Sequence, residues 1–145
     1  MLHLNLNRRS TGRQEKVKIP VVIRDTPKVM VIEDDLNMYS LLQMLLEFEG
    51  YEVVFWEGGE EIQQIVDAVS REKPELILMD VHLRHLNGFE VLRSLKEKPG
   101  LDQVRVLIAS GVDMTEKSQQ EGADGFILKP FMPDELVEKI GQTIR

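Results

Sequence analysis

Val29-Met30-Val31-Ile32-Glu33-Asp34-Asp35 joins four consecutive apolar residues to three carboxylates. A half-exposed strand alternates apolar and polar residues, so an unbroken run belongs to a strand covered on both faces, and this one ends in acid. The same figure recurs downstream. Leu76-Ile77-Leu78-Met79 runs into Asp80, the segment holding Val104, Val106, Leu107, Ile108 and Ala109 runs into Ser110, and Gly125-Phe126-Ile127-Leu128 runs into Lys129. Val53-Val54-Phe55-Trp56 supplies one more strand. Helical periodicity fills the intervals. Met38, Leu41, Leu42, Leu45 and Leu46 follow the i, i+3, i+4, i+7 spacing of a helix with one buried stripe, and Gly50 stops it. Ile62, Ile65, Val66 and Val69 mark a second helix ending before Pro74; Phe89, Leu92 and Leu95 mark a third, stopped near Pro99-Gly100. A short polar helix is expected around residues 115–121. Pro133 fits the first turn of a last helix that buries Leu136, Val137, Ile140 and Ile144. Five strand–helix units in alternation predict an α/β fold, a doubly wound five-stranded parallel sheet with helices on both faces and right-handed crossovers.

The bulk numbers suit that fold. A chain of 145 residues is large enough for one domain with a single core, and 42% hydrophobic with 30% charged residues is a globular rather than a disordered composition. The net charge of −7 argues against direct binding of nucleic acid by a basic surface. The absence of cysteine excludes a disulfide scaffold, a thiolate zinc site and a cysteine nucleophile. No apolar run is long enough to span a bilayer, and the N-terminus lacks the apolar core of a secretory signal, so a cytoplasmic location is expected. Charge is uneven: Arg8, Arg9, Arg13, Lys16 and Lys18 face Glu15 alone in the first 20 residues, so a basic arm precedes a strongly acidic body. Residues 1–27 form this basic extension, with the domain occupying residues 28–145. Val17-Lys18-Ile19 and Val21-Val22-Ile23 look strand-like, but Pro20 interrupts them. The arm reads as a flexible leader or an edge strand, ahead of a partner-binding or membrane-surface arm or an import signal.

The chemistry follows from where polar residues fall. Glu33, Asp34 and Asp35 end the first strand, Asp80 the third, Ser110 the fourth and Lys129 the fifth. A parallel sheet brings all of them to one rim, where such folds bind ligands. Carboxylates crowded there repel one another, and a cation offsets that. Oxygen donors without thiols favour Mg²⁺, which takes one or two carboxylates and keeps several waters. One carboxylate then serves as a nucleophile on phosphorus, with a hydroxyl and an ammonium on the phosphoryl oxygens. Each piece alone is weak. Asp35 or Asn37 serves equally as a helix cap, Asp80 as a turn former and Ser110-Gly111 as a turn. Their joint order carries the signal.

The stretch from Lys28 to Arg145, about four fifths of the chain, resembles the receiver domain of bacterial two-component response regulators, of the chemotaxis-regulator kind. The resemblance rests on VMVIEDD, LILMDVHLRHLNGFEVL, VLIASG and GADGFILKPF. It implies a flavodoxin-like strand order 2-1-3-4-5. It implies Asp80 as phosphoacceptor, Asp34 as a direct Mg²⁺ ligand beside Glu33, the backbone carbonyl of His82 as a further ligand, and Ser110 and Lys129 as the groups that meet the phosphoryl oxygens. Ser110 and Phe126 match the switch pair, and a cis peptide is implied at Lys129-Pro130. The phosphoryl group would come from a sensor histidine kinase or a histidine phosphotransfer protein. A downstream protein would read the face of helix four, strand five and helix five, with the domain a monomer or a weak phosphorylation-linked dimer. The domain is a signalling module rather than an enzyme, with at most Mg²⁺-dependent self-phosphorylation and self-dephosphorylation.

Departures from the family pattern are informative. Leu83-Arg84 replaces the usual Met-Pro or Leu-Pro pair, and the spacing from Ser110 to Lys129 is short, so the fourth helix is expected to be shortened or irregular. His82 and Val112 stand where the family tunes dephosphorylation; His82 reads as crowding or solvent-exposed rather than catalytic. His3 and His85 lack metal-ligand spacing and read as surface residues. The chain is either a stand-alone phosphoacceptor or the receiver piece of a longer regulator or hybrid kinase. An Asp-nucleophile phosphatase is disfavoured because His82 stands where its second Asp would be. Nucleotide enzymes are disfavoured by the absence of Gly-rich phosphate loops, and a flavin protein by the acidic rim.

Overall fold

The computed structural model describes residues 26–56 and 59–145, so the reading of residues 1–25 as a flexible leader or edge strand lies outside the described residues. In chain order the elements are β1 (Lys28–Ile32), α1 (Leu36–Phe48), β2 (Glu52–Trp56), α2 (Ile62–Glu72), β3 (Leu76–Asp80), α3 (Gly88–Glu97), β4 (Arg105–Ser110), α4 (Thr115–Gln120), β5 (Gly125–Leu128) and α5 (Pro133–Ile144). The strands form one parallel sheet in the order β2-β1-β3-β4-β5. β3 therefore lies at the centre, and the carboxyl ends of β1, β3, β4 and β5 share one edge.

The unbroken apolar runs reflect two covered faces, and residue parity sorts the side chains between them. Met30, Ile32, Ile77, Met79, Val106 and Ile108 pack with α2 and α3 residues such as Ile65, Phe89 and Leu92. Val29, Val31, Leu76, Leu78, Leu107 and Ala109 pack with Leu42 and Leu46 of α1 and Leu136 and Ile140 of α5. Helix boundaries follow local chemistry. The Asp35 carboxylate accepts from the backbone N–H groups of Asn37 and Met38 at 2.9 and 3.3 Å and caps α1. Gly50, at φ +96°, ends it. Asn87 caps α3 by accepting from the Phe89 N–H at 2.8 Å.

One expectation is corrected. Leu41 is 65% exposed, outside the buried stripe of α1, while Leu42 and Leu46 carry the packing. A 13-residue helix lying over one sheet face turns only a narrow arc inward. Leu41, Met44 and Phe48 fall on the opposite arc. The short fourth helix is as expected: α4 has six residues. Asp113 accepts from the N–H and hydroxyl of Thr115, Arg93 pairs with Glu121 at 2.8 Å, and the Lys117 ammonium sits 5.2 Å from the centre of the Phe89 ring. Among the described residues, no helix is long and apolar enough to cross a membrane.

The burial difference within α1 gives a direct test. Leu46→Ala is expected to cost about 2–5 kcal/mol in urea denaturation, as for a fully buried leucine, whereas Leu41→Ala should change stability by no more than about 0.5 kcal/mol.

Candidate functional site at the carboxyl edge of the sheet

The register places each polar strand end beside the next. Ile32 of β1 pairs with Met79 of β3, so Glu33 and Asp80 follow as neighbours. Asp80 pairs with Ala109, and Ser110 with Leu128, which sets Ser110 and Lys129 on the other side of Asp80. The Lys129 N–H closes the ladder by donating to the Ser110 carbonyl at 2.8 Å. The Lys129-Pro130 peptide is cis, as the resemblance implied.

The side chains converge on one ammonium. Lys129 Nζ lies 2.6 Å from Asp80 Oδ2 and 3.7 Å from Glu33 Oε1. The other oxygen of Asp80 accepts from the His82 backbone N–H at 2.9 Å, which fixes the carboxylate plane. Asp34 accepts from the Arg84 N–H, a link from the β3–α3 loop back to the β1 edge. The His82 and Arg84 side chains are exposed, and so is His85. Gly88 makes the loop fit: a Cβ there would stand 2.7 Å from the Asp80 carbonyl oxygen and 2.9 Å from the Val81 Cα. Ser110 is completely buried, and its hydroxyl accepts from the Val112 N–H at 3.1 Å. Phe126 is half-buried, pairs with Ile108, and lies on the same face of the sheet as Ser110.

Electrostatics follow from this crowding. Burial pushes the Glu33 carboxyl above its ordinary range; the Asp35 N–H and Lys129 pull it back, while Asp80 and Asp35 add to the rise. Burial by itself lowers the Lys129 ammonium, but its hydrogen bond to Asp80 and the charges of Asp80 and Glu33 outweigh that and hold it above the usual lysine range. Among the described residues, no three His, Cys, Asp or Glu side chains form a metal cage by themselves. Carboxylate oxygens are donors of the kind a hard cation takes one or two of, completing its shell with water.

Glu33, Asp34, Asp80, His82, Ser110 and Lys129 thus stand at one edge, whereas Phe126 lies further back along β5, opposite Ile108. Two links had no signal in the sequence: the Arg84 N–H on Asp34 and the Lys129–Glu33 contact both depend on loop and side-chain direction rather than on residue type.

Comparison with known proteins agrees with this fold. Residues 29–141 match the family model described as the response regulator receiver domain. The chain is 33% identical over 119 residues to the alkaline phosphatase synthesis transcriptional regulatory protein PhoP of Bacillus subtilis, covering 81% of this chain and 48% of that protein. It is 30% identical over 118 residues to the DNA-binding response regulator MtrA of Mycobacterium tuberculosis, covering 81% and 50%. The chain therefore spans about half the length of the curated relatives it matches. Among solved structures it resembles the chemotaxis response regulator CheY4 of Vibrio cholerae, with a TM-score of 0.73, 21% identity, and 82% and 99% coverage. It also resembles a response-regulator signal receiver domain from Bermanella marisrubri, with a TM-score of 0.74, 25% identity, and 83% and 100% coverage.

The raised Glu33 carboxyl has a defined sign in stability. Between the ordinary carboxyl range and its raised value, the folded state holds this proton more tightly than the unfolded chain, so stability falls as pH rises through that window. In chelator-containing buffer, Glu33→Gln should raise the urea midpoint at neutral pH, and the gain should shrink as pH falls toward about 4, where unfolded carboxyls also take up protons. A gain that stays constant with pH would contradict the burial argument.

Proposed function

The chain belongs to the response regulator receiver domain family, a signalling domain of two-component systems, and we propose that it accepts a phosphoryl group on Asp80 from a phosphohistidine of a sensor kinase or phosphotransfer protein. The observation that carries this reading is the placement of Asp80 at the end of the central strand, with one oxygen on Lys129 at 2.6 Å and the other on the His82 N–H at 2.9 Å. Both contacts leave lone pairs directed away from them. An Asp80 oxygen attacks phosphorus, the phosphorus–nitrogen bond of the donor breaks, and the imidazole leaves with the electron pair. The product is an acyl phosphate.

The other residues then have defined work. The Lys129 ammonium moves from carboxylate to phosphoryl oxygen, and the Ser110 hydroxyl exchanges its contact with the Val112 N–H for another phosphoryl oxygen. Asp34 and Asp80, with the His82 carbonyl, would hold Mg²⁺, and Glu33 would act through water. Bound there, Mg²⁺ offsets the carboxylate charge and that of the incoming phosphoryl group. Withdrawal of Ser110 toward the site opens space on the sheet face that Phe126 shares, and the ring turns into it. The face of α4, β5 and α5 changes shape as a result, and a protein partner reads the change. The same site would carry, at most, Mg²⁺-dependent self-phosphorylation from small phosphodonors and self-dephosphorylation. Loss of the usual proline at Arg84 does not remove the loop: Asp34 takes the Arg84 N–H, which a proline would lack.

The test is intact mass after incubation with acetyl phosphate and Mg²⁺. The chain should gain a phosphate-sized mass; Asp80→Asn or excess chelator should abolish the gain. Ser110→Ala should still gain the mass but lose the chemical-shift changes around Phe126 that phosphorylation produces in the unaltered chain. Failure of the folded protein to gain mass from either acetyl phosphate or a phosphohistidine donor would overturn the phosphoacceptor reading.

A further inference from the structure

The β3–α3 loop departs from the family at Arg84, where a proline is usual, and the departure supplies an N–H. That N–H donates to Asp34 at the end of β1, 50 residues away in the chain. Two residues earlier, the His82 N–H donates to Asp80 Oδ1 at 2.9 Å. The main chain from His82 to Arg84 is therefore a strap between two carboxylates borne by different strands. Its base is fixed. The Gly88 N–H donates to the Val81 carbonyl at 2.8 Å, His82 forms an antiparallel bridge with Asn87, and the close approach of Gly88 to Asp80 and Val81 leaves no slack on that side. Leu83 stands between the two donors and packs, partly buried, against the α2–α3 side of the core, which anchors the middle of the strap.

We propose that Arg84 is a positioning residue for the divalent cation, acting through its backbone N–H and not through its guanidinium. The proposal rests on the reading that Asp34, Asp80 and the His82 carbonyl hold Mg²⁺. Those donors come from two separate segments, the end of β1 and the end of β3 with its loop, and Arg84 ties one to the other. Asp34 is half-buried. Left without a donor, its carboxylate would sample several rotamers, and fixing one of them would count against binding. The Arg84 N–H fixes it in advance. The same bond holds the strap over the β1 edge, with the His82 carbonyl on the stretch of chain between the two attachment points. An ionised carboxylate offers about four lone-pair sites on two oxygens, so an N–H on one oxygen leaves the other for a cation. Hydrogen bonds of this kind to a metal's ligands are worth about 10–100-fold in metal affinity. The guanidinium has no such part: the Arg84 side chain is exposed, and its positive charge by itself repels a cation.

Two substitutions separate the N–H from the charge. Arg84→Ala and Arg84→Pro both remove the guanidinium, and only the second removes the donor. Proline is the family's usual residue at this place, so the loop accommodates it. Mg²⁺ affinity is measured by calorimetry on the full chain, and solvent exchange of the Arg84 amide proton is followed by NMR. Arg84→Ala should bind Mg²⁺ at least as tightly as the unaltered chain, and Arg84→Pro about 10-fold more weakly than Arg84→Ala. Without metal, the Arg84 amide proton should exchange slowly in the unaltered chain and fast in Asp34→Ala, and saturating Mg²⁺ should keep it slow. Equal affinities of the Ala and Pro variants would overturn the proposal. So would an Arg84 amide that Mg²⁺ releases into fast exchange, because the N–H and the cation would then compete for Asp34. That exchange measurement decides alone if the Pro variant does not fold. Equal affinities in variants that do bind Mg²⁺ would leave the phosphoacceptor reading standing, whereas no Mg²⁺ binding by the unaltered chain would overturn the metal site on which both rest.

Discussion

The arrangement at the carboxyl edge depends on one ammonium. Parallel strands necessarily bring their ends together, and here the ends carry Glu33, Asp34, Asp35 and Asp80. Ionised carboxylates that close together raise the energy of the folded chain unless positive charge stands among them. Lys129 supplies it from the end of β5, two strands from Asp80's own strand, within 2.6 Å of Asp80 and 3.7 Å of Glu33. The β5 end must therefore sit where it does, with its N–H on the Ser110 carbonyl and the cis peptide to Pro130 turning the chain away into α5. Topology and electrostatics impose the same position on Lys129. Burial raises the Glu33 carboxyl and the charges of Asp80 and Glu33 raise the Lys129 ammonium, while carboxylates outnumber the ammonium at this edge, a setting that suits a divalent cation.

How much of this was legible in the sequence depended on whether a feature is written in residue type or in direction. The strands were legible because both faces of a central parallel sheet are covered, so apolar runs continue unbroken; all five appear within a residue of their expected limits. The meeting of Glu33, Asp80, Ser110 and Lys129 was legible because they stand at strand ends, and a parallel sheet turns sequence position into spatial position. The short α4 was legible from the spacing between Ser110 and Lys129. Leu41 was not. A run of leucine and methionine at helical spacing has no marker for where the buried arc stops, and in α1 apolar residues continue past it onto the outer face. Nor could the sequence foretell that the Arg84 N–H would reach Asp34, since any residue other than proline would offer the same donor.

That overrun of apolar residues gives the two helical layers different characters. The α2–α3 side is closed by polar and charged groups, with Arg93, Glu121 and Lys117 knitting α3 to α4 across the surface. The α1–α5 side leaves Leu41, Met44 and Phe48 outward. The two layers are built on the same strands and differ only in the parity of the residues they take, yet one ends in a charged skin and the other in an oily one. Such a difference assigns the layers different neighbours.

Gly88 has a mechanical consequence. On its side of Asp80 the wall is backbone against backbone, too close for even a methyl group. On the opposite side stand the hydroxyl of Ser110 and, along the same face, the ring of Phe126, both side chains with torsional freedom. The site therefore has walls of two kinds, backbone toward α3 and side chain toward β4 and β5. If Asp80 takes up a phosphoryl group as proposed, the backbone wall offers it no room toward α3, and rearrangement falls to side chains of β4 and β5.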